Sequence, residues 1–329
     1  MPGSGTVEPV LVAGAGALGS VVGGLLAARG RSVTLLGRGE HLEAVGRTGL
    51  RLEGLFGDHL VRDLSCVTDA TALHGPFSTV LLTVKSWDTE AMARAVAPHL
   101  ASDGHVVSMQ NGLGNLERVA DVVGDARVLG ARVIFGTEVV APGRVRVTVE
   151  AAPVLVGSPD PSDGGRVAVA ARWAEELAAA GIAAASTMAL LAELWAKVFY
   201  NAALNPLGAL LRVPYGWLPE DPDACAIMDD AIGEAFAVAP AAGVHLAWPD
   251  AAAYRSLFYG RLVPATARHR SSMLQDLERG RPTEIDAING YVASRGGALG
   301  VPTPVNATLT RMIRARVRRR RDAEEPWKQ

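Results

Sequence analysis

Residues 8–19 read Glu-Pro-Val-Leu-Val-Ala-Gly-Ala-Gly-Ala-Leu-Gly, and the architecture of the first half of the chain follows from them. The apolar run at residues 8–13 is typical of a buried parallel strand. The Ala-, Leu- and Gly-rich segment that ends near Arg29-Gly30 predicts a helix. Residues 32–36, Ser-Val-Thr-Leu-Leu, predict the next strand. The glycines therefore lie inside a strand–helix–strand unit, the context typical of a dinucleotide-binding site.

The three glycines of this turn have separate roles in such a site. Gly14 permits the tight turn, Gly16 lets the backbone approach a pyrophosphate, and Gly19 lets the helix pack against the sheet. The helix N-terminus then presents N–H groups to the phosphates. We therefore predict that the cofactor-binding loop comprises Gly14, Ala15, Gly16, Ala17, Leu18 and Gly19. The alternative is a glycine-rich turn that binds no ligand.

The residues after the second strand bear on the choice of cofactor. Dinucleotide-binding folds that select NAD usually place an acid there to hold the ribose 2′-hydroxyl. This sequence has Leu36-Gly-Arg38-Gly39 instead. A guanidinium grips phosphate bidentately, so Arg38 favours a 2′-phosphate and hence NADPH. The alternative is that Arg38 is an ordinary surface cation.

Two further strands are each followed by a polar residue. Residues 79–84 precede Lys85, and residues 105–110 precede Asn111. The carboxyl ends of parallel strands border the ligand crevice of an open α/β sheet. Lys85 and Asn111 are therefore candidates to contact cofactor or substrate, although either could be an ordinary loop residue.

The rest of the chain divides into a sheet part and a helical part. Short β-like pieces at 128–135, 144–149 and 153–156 are expected to extend the sheet, followed by a helix at 166–180 and a last strand at 181–186. Beyond residue 189, helices are predicted at 189–209, 223–242, 250–260, 263–279, 285–299 and 304–321. We predict an α/β fold with a doubly wound, Rossmann-type domain at residues 1–188 and an all-α domain at 189–329.

The first of these helices carries an unusual polar row. Lys197, Asn201 and Asn205 recur every four residues and so share one face of a helix. The alternatives at this point are a functional row and an exposed polar stripe opposite a buried one. Asn is a poor helix former, so its appearance twice needs a reason.

Composition excludes several other classes of protein. The 329 residues carry a formal net charge of −2, so no basic field for nucleic acid exists. The Arg-rich segment 311–321 is predicted to be a solvated helix end. Two cysteines give neither a disulfide framework nor a metal cluster and fit a cytoplasmic protein. Residues 1–8 lack the features of a signal peptide, and no membrane span is expected.

Four blocks of sequence resemble the ketopantoate reductases (2-dehydropantoate 2-reductases) over nearly the whole chain. They are the glycine loop 14–19, Thr-Val-Lys-Ser-Trp at 83–87, Glu-Leu-Trp-Ala-Lys-Val-Phe-Tyr-Asn-Ala-Ala-Leu-Asn-Pro at 193–206, and Ser-Ser-Met-Leu-Gln-Asp at 271–276 with Thr-Glu-Ile-Asp-Ala-Ile-Asn-Gly at 283–290. The resemblance implies a Rossmann domain, a helical domain and a cleft between them. It also implies NADPH-dependent reduction of a small-molecule 2-oxo acid to a 2-hydroxy acid, on the route to pantothenate and coenzyme A. A homodimer follows only by family analogy.

The resemblance assigns catalytic and substrate-binding roles position by position. Lys197 resembles the proton donor, and Glu284 its acidic partner near the substrate hydroxyl and the nicotinamide ribose. Asn201 and Asn205 resemble amides that orient the substrate, and Ser272 resembles a ligand of its carboxylate.

The resemblance also assigns cofactor-side roles. Asn111 matches a residue that touches both cofactor and substrate, while Arg38 and Lys85 match cofactor-side positions. Gly136 matches, in a weaker alignment, a small residue beside the cofactor.

Two positions depart from the family pattern. His269 stands where the family often has Asn, and Gln110 where it often has His. If His269 reaches the substrate, the preferred 2-oxo acid differs; otherwise it is a tolerated variant at the rim. The alternatives are therefore a reductase of another 2-oxo acid or ketone, and a non-catalytic NADPH-binding sensor, which would need no proton donor.

Overall fold

The computed structural model describes residues 9–322, and the segment 1–8, for which no signal peptide was predicted, lies outside them. The described chain forms two compact units. The first comprises the residues up to Asn111 together with Asn115–Leu190. The second comprises Gly112–Gly114 and the residues from Leu191 onward.

The first unit is built on an eight-stranded sheet with the order β12-β11-β8-β7-β6-β1-β2-β5. All neighbouring strands are parallel except β11 and β8. The order reverses direction around β1, as in a doubly wound sheet. The strands are β1 (Val10–Ala13), β2 (Val33–Leu36), β5 (Ser65–Val67), β6 (Phe77–Leu82), β7 (Leu100–Ser108), β8 (Val128–Arg132), β11 (Val154–Gly157) and β12 (Ala184–Thr187).

Helices cover both faces of this sheet. Alternate residues of β1 enter two different apolar clusters, as the twofold repeat of a strand requires. Val10 and Val12 pack with α1 (Ala17–Ala28) and α5 (Gly164–Ala179). Leu11 and Ala13 pack with α3 (Thr89–Val96) and α4 (Asn115–Val123). The predicted doubly wound α/β fold is therefore confirmed. Helix α2 (Glu40–Thr48) follows β2.

A second, four-stranded sheet was not predicted. Its order is β4-β3-β10-β9, with β3 (Leu50–Gly54), β4 (His59–Val61), β9 (Phe135–Ala141) and β10 (Arg144–Glu150). The expectation that residues 144–149 extend the main sheet is wrong. These residues alternate between exposed and buried, so only one of their faces needs cover.

Helix α1 lies between the two sheets. A Cβ on Gly23 would lie 2.7 Å from Leu35 of the main sheet, and a Cβ on Gly24 would lie 2.7 Å from Leu50 of the small sheet. Residues 19–27 are all buried. A helix covered on both sides must be apolar all round, which explains why this sequence lacks a polar face.

The second unit contains no strand among its described residues, as expected. Its helices are α6 (Leu190–Leu211), α7 (Pro222–Ala241), α8 (Ala251–Leu257), the single turn α9 (Val263–Ala265), α10 (Ser272–Glu278), α11 (Asn289–Leu299) and α12 (Pro304–Asp322). Short 3₁₀ helices occupy Tyr215–Glu220 and Glu284–Ala287, and a π-helical turn occupies Phe258–Leu262.

The predicted helix at 263–279 is broken between Ala265 and Ser272, so that expectation is wrong. The carbonyl groups of Ala267 and His269 accept hydrogen bonds from the backbone N–H groups of Gly216 (2.9 Å) and Tyr215 (3.1 Å). Carbonyls that bond to another segment are not available to a continuous helix. The helix predicted at 285–299 likewise begins only at Asn289.

Within residues 9–322, no helix combines the length and the apolar character needed to cross a bilayer. The same residues contain no group of three or more His, Cys, Asp or Glu side chains that could hold a metal ion. Cys66 and Cys225 are half-buried free thiols.

Candidate active site

The glycine loop in the first unit is fixed by close contacts with the segment after β6. Gly14 has a φ of +120°, and a Cβ there would lie 2.5 Å from the Val84 nitrogen. Thr83 Oγ1 donates a hydrogen bond to the Gly14 carbonyl at 2.8 Å. A Cβ on Gly19 would lie 2.1 Å from that same carbonyl oxygen. Gly14 and Gly19 are therefore required by the packing of the loop itself.

Gly16 differs from the other two glycines, because a Cβ there would meet no atom within 4 Å. Gly16 is the N-cap of α1 and provides no side-chain cap. It is exposed, and Ala17 and Leu18 are half-buried, whereas Ala15 is buried. The first turn of α1 thus presents backbone N–H groups beside open space. This arrangement fits the pyrophosphate of a dinucleotide.

Two cations lie after the strands that flank β1. Arg38 follows β2 and is exposed, and its Nη2 lies 3.6 Å from Asp88 Oδ2. Lys85 follows β6 and is half-buried, with Nζ 5.9 Å from the centroid of the Trp87 ring. Asp88 is the N-cap of α3, but its carboxylate makes no capping hydrogen bond. The carboxylate reaches Arg38 instead.

Asn111 follows β7 and is half-buried, and a buried polar network holds its loop. Its carbonyl accepts a hydrogen bond from Asn115 Nδ2 at 2.9 Å. Thr89 Oγ1 accepts from Gln110 Nε2 at 2.8 Å, and its single proton faces both the Ser86 carbonyl at 2.8 Å and Asn115 Oδ1 at 3.1 Å. Gln110 Nε2 also donates to the Val84 carbonyl at 2.9 Å. The departure at Gln110 therefore has a structural role, since this side chain ties the loops after β6 and β7 together.

Gly136 lies in β9 of the small sheet. A Cβ there would lie 3.1 Å from Thr148 Oγ1 and 3.3 Å from Val149 Cβ of the neighbouring β10. Tight packing against that strand is a structural reason for a small residue. The cofactor role of Gly136 stays a prediction.

In the second unit, α6 carries the predicted row of Lys197, Asn201 and Asn205 through more than two turns. Lys197 is half-buried, while Asn201 and Asn205 are only 9% and 5% exposed. Buried amides need hydrogen-bond partners. No described residue forms a hydrogen bond with the Asn201 side chain, so this amide is suited to a ligand.

Asn205 is held by two residues that the sequence did not single out. Tyr215 O–H donates to Asn205 Oδ1, and Ser271 Oγ donates to the Asn205 carbonyl at 2.9 Å. Ser271 also accepts from the backbone N–H groups of Met273 and Leu274 and so caps α10. Burial raises the pKa of Tyr215, so the phenol stays protonated as a donor. Ser272, the predicted carboxylate ligand, is the half-buried first residue of α10.

His269 lies beside the same tyrosine, with the Tyr215 and His269 rings 5.3 Å apart between centroids. Burial lowers the pKa of His269, which favours the neutral imidazole near pH 7. The ring is therefore an aromatic, uncharged surface next to the group that holds Asn205.

Glu284, the predicted partner of Lys197, is 6% exposed and begins the 3₁₀ turn Glu284–Ala287. The carbonyl of Ala287 accepts a hydrogen bond from the Leu113 N–H at 2.7 Å. Gly112 permits this contact, since a Cβ on it would lie 2.5 Å from the Ala287 carbonyl oxygen. The second unit thus contains an ammonium group, a carboxylate and two buried amides. Such a set can supply a proton and bind a polar substrate.

A signal for two of the missed residues was present in the sequence. Ser271 precedes a helix and is a preferred N-cap residue. Thr83 directly follows an apolar strand, at the end of the sheet where ligands and glycine loops meet. Tyr215 carries no comparable signal, because its contact with Asn205 depends on how a connecting segment folds back.

Comparison with known proteins identifies the relatives of this chain. The ketopantoate reductase PanE/ApbA family matches residues 10–160, and the C-terminal part of that family matches residues 189–317. A 2-dehydropantoate 2-reductase of Aquifex aeolicus is 35% identical over 312 residues, covering 94% of this chain and 97% of the relative.

Solved structures agree with this relationship. A PanE/ApbA family ketopantoate reductase from Ralstonia eutropha is 35% identical with a TM-score of 0.84, covering 95% of this chain and 99% of that one. D-mandelate dehydrogenase in complex with NADH is 26% identical with a TM-score of 0.81, covering 94% and 98%. The sequence matches span both halves of the chain, and the chain belongs to the ketopantoate reductase family of oxidoreductases.

Proposed function

We propose that this protein reduces 2-dehydropantoate (ketopantoate) to pantoate with NADPH. The main structural support is the row on α6, where the half-buried Lys197 precedes the two buried amides of Asn201 and Asn205. The curated relatives named 2-dehydropantoate 2-reductase support the choice of substrate. Pantoate is a precursor of pantothenate and coenzyme A, which gives the reaction its biosynthetic context.

When bound, the nicotinamide cofactor supplies a hydride to the carbonyl carbon of the 2-oxo acid. Negative charge then develops on the carbonyl oxygen and must be neutralised. Lys197 donates a proton to that oxygen, because a lysine side chain carries an ammonium group at neutral pH. The product is a 2-hydroxy acid.

The remaining predicted residues orient the substrate around Lys197. Asn201 and Asn205 offer amide donors without adding a second full charge. Tyr215 already donates to the carbonyl oxygen of the Asn205 amide, so the amide N–H groups are the part left for a ligand. Ser272 is proposed to bind the substrate carboxylate, and Glu284 to accept from the substrate hydroxyl and the ribose. Holding a carbonyl in a reactive geometry can contribute several kcal/mol to the lowering of the barrier.

For the cofactor, we propose that the loop 14–19 binds the pyrophosphate, that Arg38 binds the 2′-phosphate of NADPH and that Lys85 contacts the cofactor. Arg38 is exposed at the end of β2, where the ribose 2′ position is read. Asp88 lies 3.6 Å from Arg38, so a 2′-phosphate has to compete with this carboxylate. We propose that Asn111 contacts both cofactor and substrate and that Gly136 lies beside the cofactor.

Three further expectations belong to the same proposal. The dinucleotide is assigned to a domain of residues 1–188 and the substrate-binding helices to a domain of residues 189–329. A cytoplasmic location and a homodimer are proposed from the biosynthetic role and from family analogy.

A second candidate function is the reduction of a 2-oxo acid with an aromatic side chain. His269 replaces an amide with an aromatic ring that packs on Tyr215, beside Asn205. D-mandelate dehydrogenase, which handles an aromatic acid, shares the fold. An aromatic wall favours an aromatic ligand through offset or edge contacts.

An assay of cofactor consumption with a panel of 2-oxo acids, run with NADPH and separately with NADH, tests the proposal. Turnover of ketopantoate with NADPH well above the other acids is expected. Faster turnover of phenylglyoxylate would support the second candidate. Binding of NADPH without turnover of any acid would contradict both and favour the sensor.

A further inference from the structure

Helix α6 contains a proline in its interior, one residue after Asn205. Pro206 has no N–H group, so the Ala202 carbonyl four residues earlier loses its normal helical donor. Ala202 is fully buried, and water therefore cannot replace that donor. A buried carbonyl without a partner is costly, and proteins rarely leave one unpaired.

Asn289 supplies the missing hydrogen bond. Its Nδ2 donates to the Ala202 carbonyl at 3.0 Å and to Asn306 Oδ1 at 3.0 Å. Asn289 is 0% exposed, and its Oδ1 is buried without a hydrogen-bond partner in the described part of the chain. The two hydrogen bonds that its NH₂ group donates therefore explain why an amide side chain occupies this buried position.

The donor is itself held in place. Asn306 is buried, and its Nδ2 donates to the Ala231 carbonyl at 3.1 Å and to Glu234 Oε2 at 2.8 Å. Glu234 also accepts from the backbone N–H groups of Val305 (2.7 Å) and Asn306 (2.9 Å) at the start of α12. The Asn289 amide is thus anchored to α7 and α12 while it contacts α6.

The contact lies in the turn that connects the two amides proposed to bind substrate. Ala202 immediately follows Asn201, and Pro206 immediately follows Asn205. A change in this turn would rotate Asn205 relative to Asn201 and Lys197, since each helical residue turns by a fixed angle. Catalysis is sensitive to such changes, because a displacement of about 1 Å can cost about 100-fold in rate.

We propose that Asn289 is a positioning residue, which replaces the helical hydrogen bond that Pro206 removes and so keeps Asn201 and Asn205 in register with Lys197. The kinetic part of this inference rests on the proposed function. The structural part depends only on the contact between Asn289 and Ala202.

The test is a double-mutant cycle. Asn289→Ala should lower kcat/KM for ketopantoate by roughly 10–100-fold. The KM for NADPH should stay within about twofold of the wild type, well below the tenfold change that corresponds to about 1.4 kcal/mol. Pro206→Ala restores an N–H to the helix and should have little effect alone. In the double variant, the helix supplies its own donor to Ala202, and most of the lost activity should return. No recovery, or an equal loss in NADPH binding, would overturn the proposal.

Asn306→Ala is the matched control. It removes a buried amide from the same network but leaves the Ala202 carbonyl paired with Asn289. Pro206→Ala should not rescue this variant. Equal rescue of both would show that Pro206→Ala stabilises the helical unit in general, and the proposal would fail.

Hydrogen exchange of α6 separates this inference from the proposed function. Asn289→Ala should speed exchange of the amides after Ala202, and Pro206→Ala in the same chain should restore their protection. This result is independent of the substrate, so it stands even if ketopantoate is not turned over. Unchanged exchange in Asn289→Ala would contradict the inference. If Asn289→Ala alone does not fold, a double variant that does fold supports the proposed role of Asn289. A double variant that fails to fold, while Pro206→Ala folds, overturns that role.

Discussion

Gly16→Ala separates cofactor binding from stability. A Cβ at Gly16 meets no protein atom within 4 Å, and its φ of −81° and ψ of −164° suit alanine. The gain from a stiffer unfolded chain and the poorer N-cap that Ala makes oppose each other, so the free energy of unfolding of the ligand-free protein should change by less than about 1 kcal/mol. A pyrophosphate that approaches this backbone would meet the new methyl group. Inserting a methyl into a packed contact costs about 1–3 kcal/mol, which corresponds to roughly a 5- to 150-fold rise in the Kd for NADPH.

Gly19→Ala is the matched control from the same loop. Its Cβ would lie 2.1 Å from the Gly14 carbonyl oxygen and 2.6 Å from Thr83 Oγ1. Helix propensity gains up to about 1 kcal/mol, but a clash with a backbone oxygen costs up to about 3 kcal/mol. We expect a net loss of about 1–2 kcal/mol in unfolding free energy and a Tm lower by roughly 2–8 °C.

Both variants are measured by thermal unfolding without ligand and by titration with NADPH. Opposite patterns are expected: weaker NADPH binding at normal stability for Gly16→Ala, and lower stability for Gly19→Ala. An NADPH affinity of Gly16→Ala within about twofold of the wild type would show that no phosphate approaches this position. A loss of stability in Gly16→Ala equal to that of Gly19→Ala would contradict the assignment of separate roles.

Four further variants test other residues. Lys197→Ala should lower kcat by roughly 10²–10⁴-fold with the Kd for NADPH unchanged, and normal turnover would exclude its role as proton donor. Arg38→Ala should raise the KM for NADPH far more than that for NADH. Asp88→Asn should lower the KM for NADPH relative to that for NADH by up to about fivefold, the factor that corresponds to one charge pair near 4 Å in water. Glu90→Gln is its control, because Glu90 pairs with Arg94 instead. Burial lowers the pKa of His41 below its usual 6.5. Its neutral form therefore stabilises the folded chain above about pH 6.5, and that stabilisation is lost as the pH falls. Denaturant unfolding at about pH 7.5 and 5.5 should show a smaller drop in the free energy of unfolding for His41→Gln than for the wild type.

The geometry around His41 gives the physical reason for its pH dependence. The Gly143 N–H donates to Nδ1 at 3.2 Å, which leaves the proton on Nε2, 3.0 Å from Ser20 Oγ. Protonation would place an N–H on Nδ1 opposite the Gly143 N–H. The hydrogen bond between His41 and the turn that joins β9 and β10 would then be lost. A pH response of His41→Gln identical to that of the wild type would contradict this explanation.

The parts of the fold that the sequence predicts correctly are those with one consistent pattern. The strand at 10–13, the glycine turn and α1 agree in hydrophobicity, length and turn residues, so local and tertiary preferences coincide. Helix α6 was predicted through Pro206 because its apolar pattern continues on both sides of the proline. The sequence did not reveal that Asn289, 87 positions after Ala202, makes this continuity possible.

The errors occur where a tertiary contact decides the structure. An alternating segment such as 144–150 can join either sheet, and its pairing with β3 and β9 depends on partners far along the chain. The break at 266–271 contains neither Gly nor Pro, and it forms because Tyr215 and Gly216 bond to its carbonyls. Tertiary hydrogen bonds override local helix propensity in such segments.

Among the site residues, those marked by a local sequence pattern were predicted, and those placed by tertiary contacts were missed. Spacing placed Lys197, Asn201 and Asn205 on one helix, and the glycine pattern identified the loop before α1. The supporting residues were missed because their hydrogen bonds join distant segments, as with Tyr215 and Ser271 around Asn205. Gln110 stood out in the sequence only as a departure from the family pattern, and its hydrogen bonds to two loops of the first unit could not be read from the sequence.

A competition experiment shows directly which 2-oxo acid the enzyme prefers. Equal concentrations of ketopantoate and phenylglyoxylate are supplied with limiting NADPH, and the ratio of pantoate to mandelate gives the ratio of the two kcat/KM values. Pantoate should exceed mandelate by at least about tenfold. A product mixture dominated by mandelate would contradict this expectation and establish the aromatic acid as the preferred substrate.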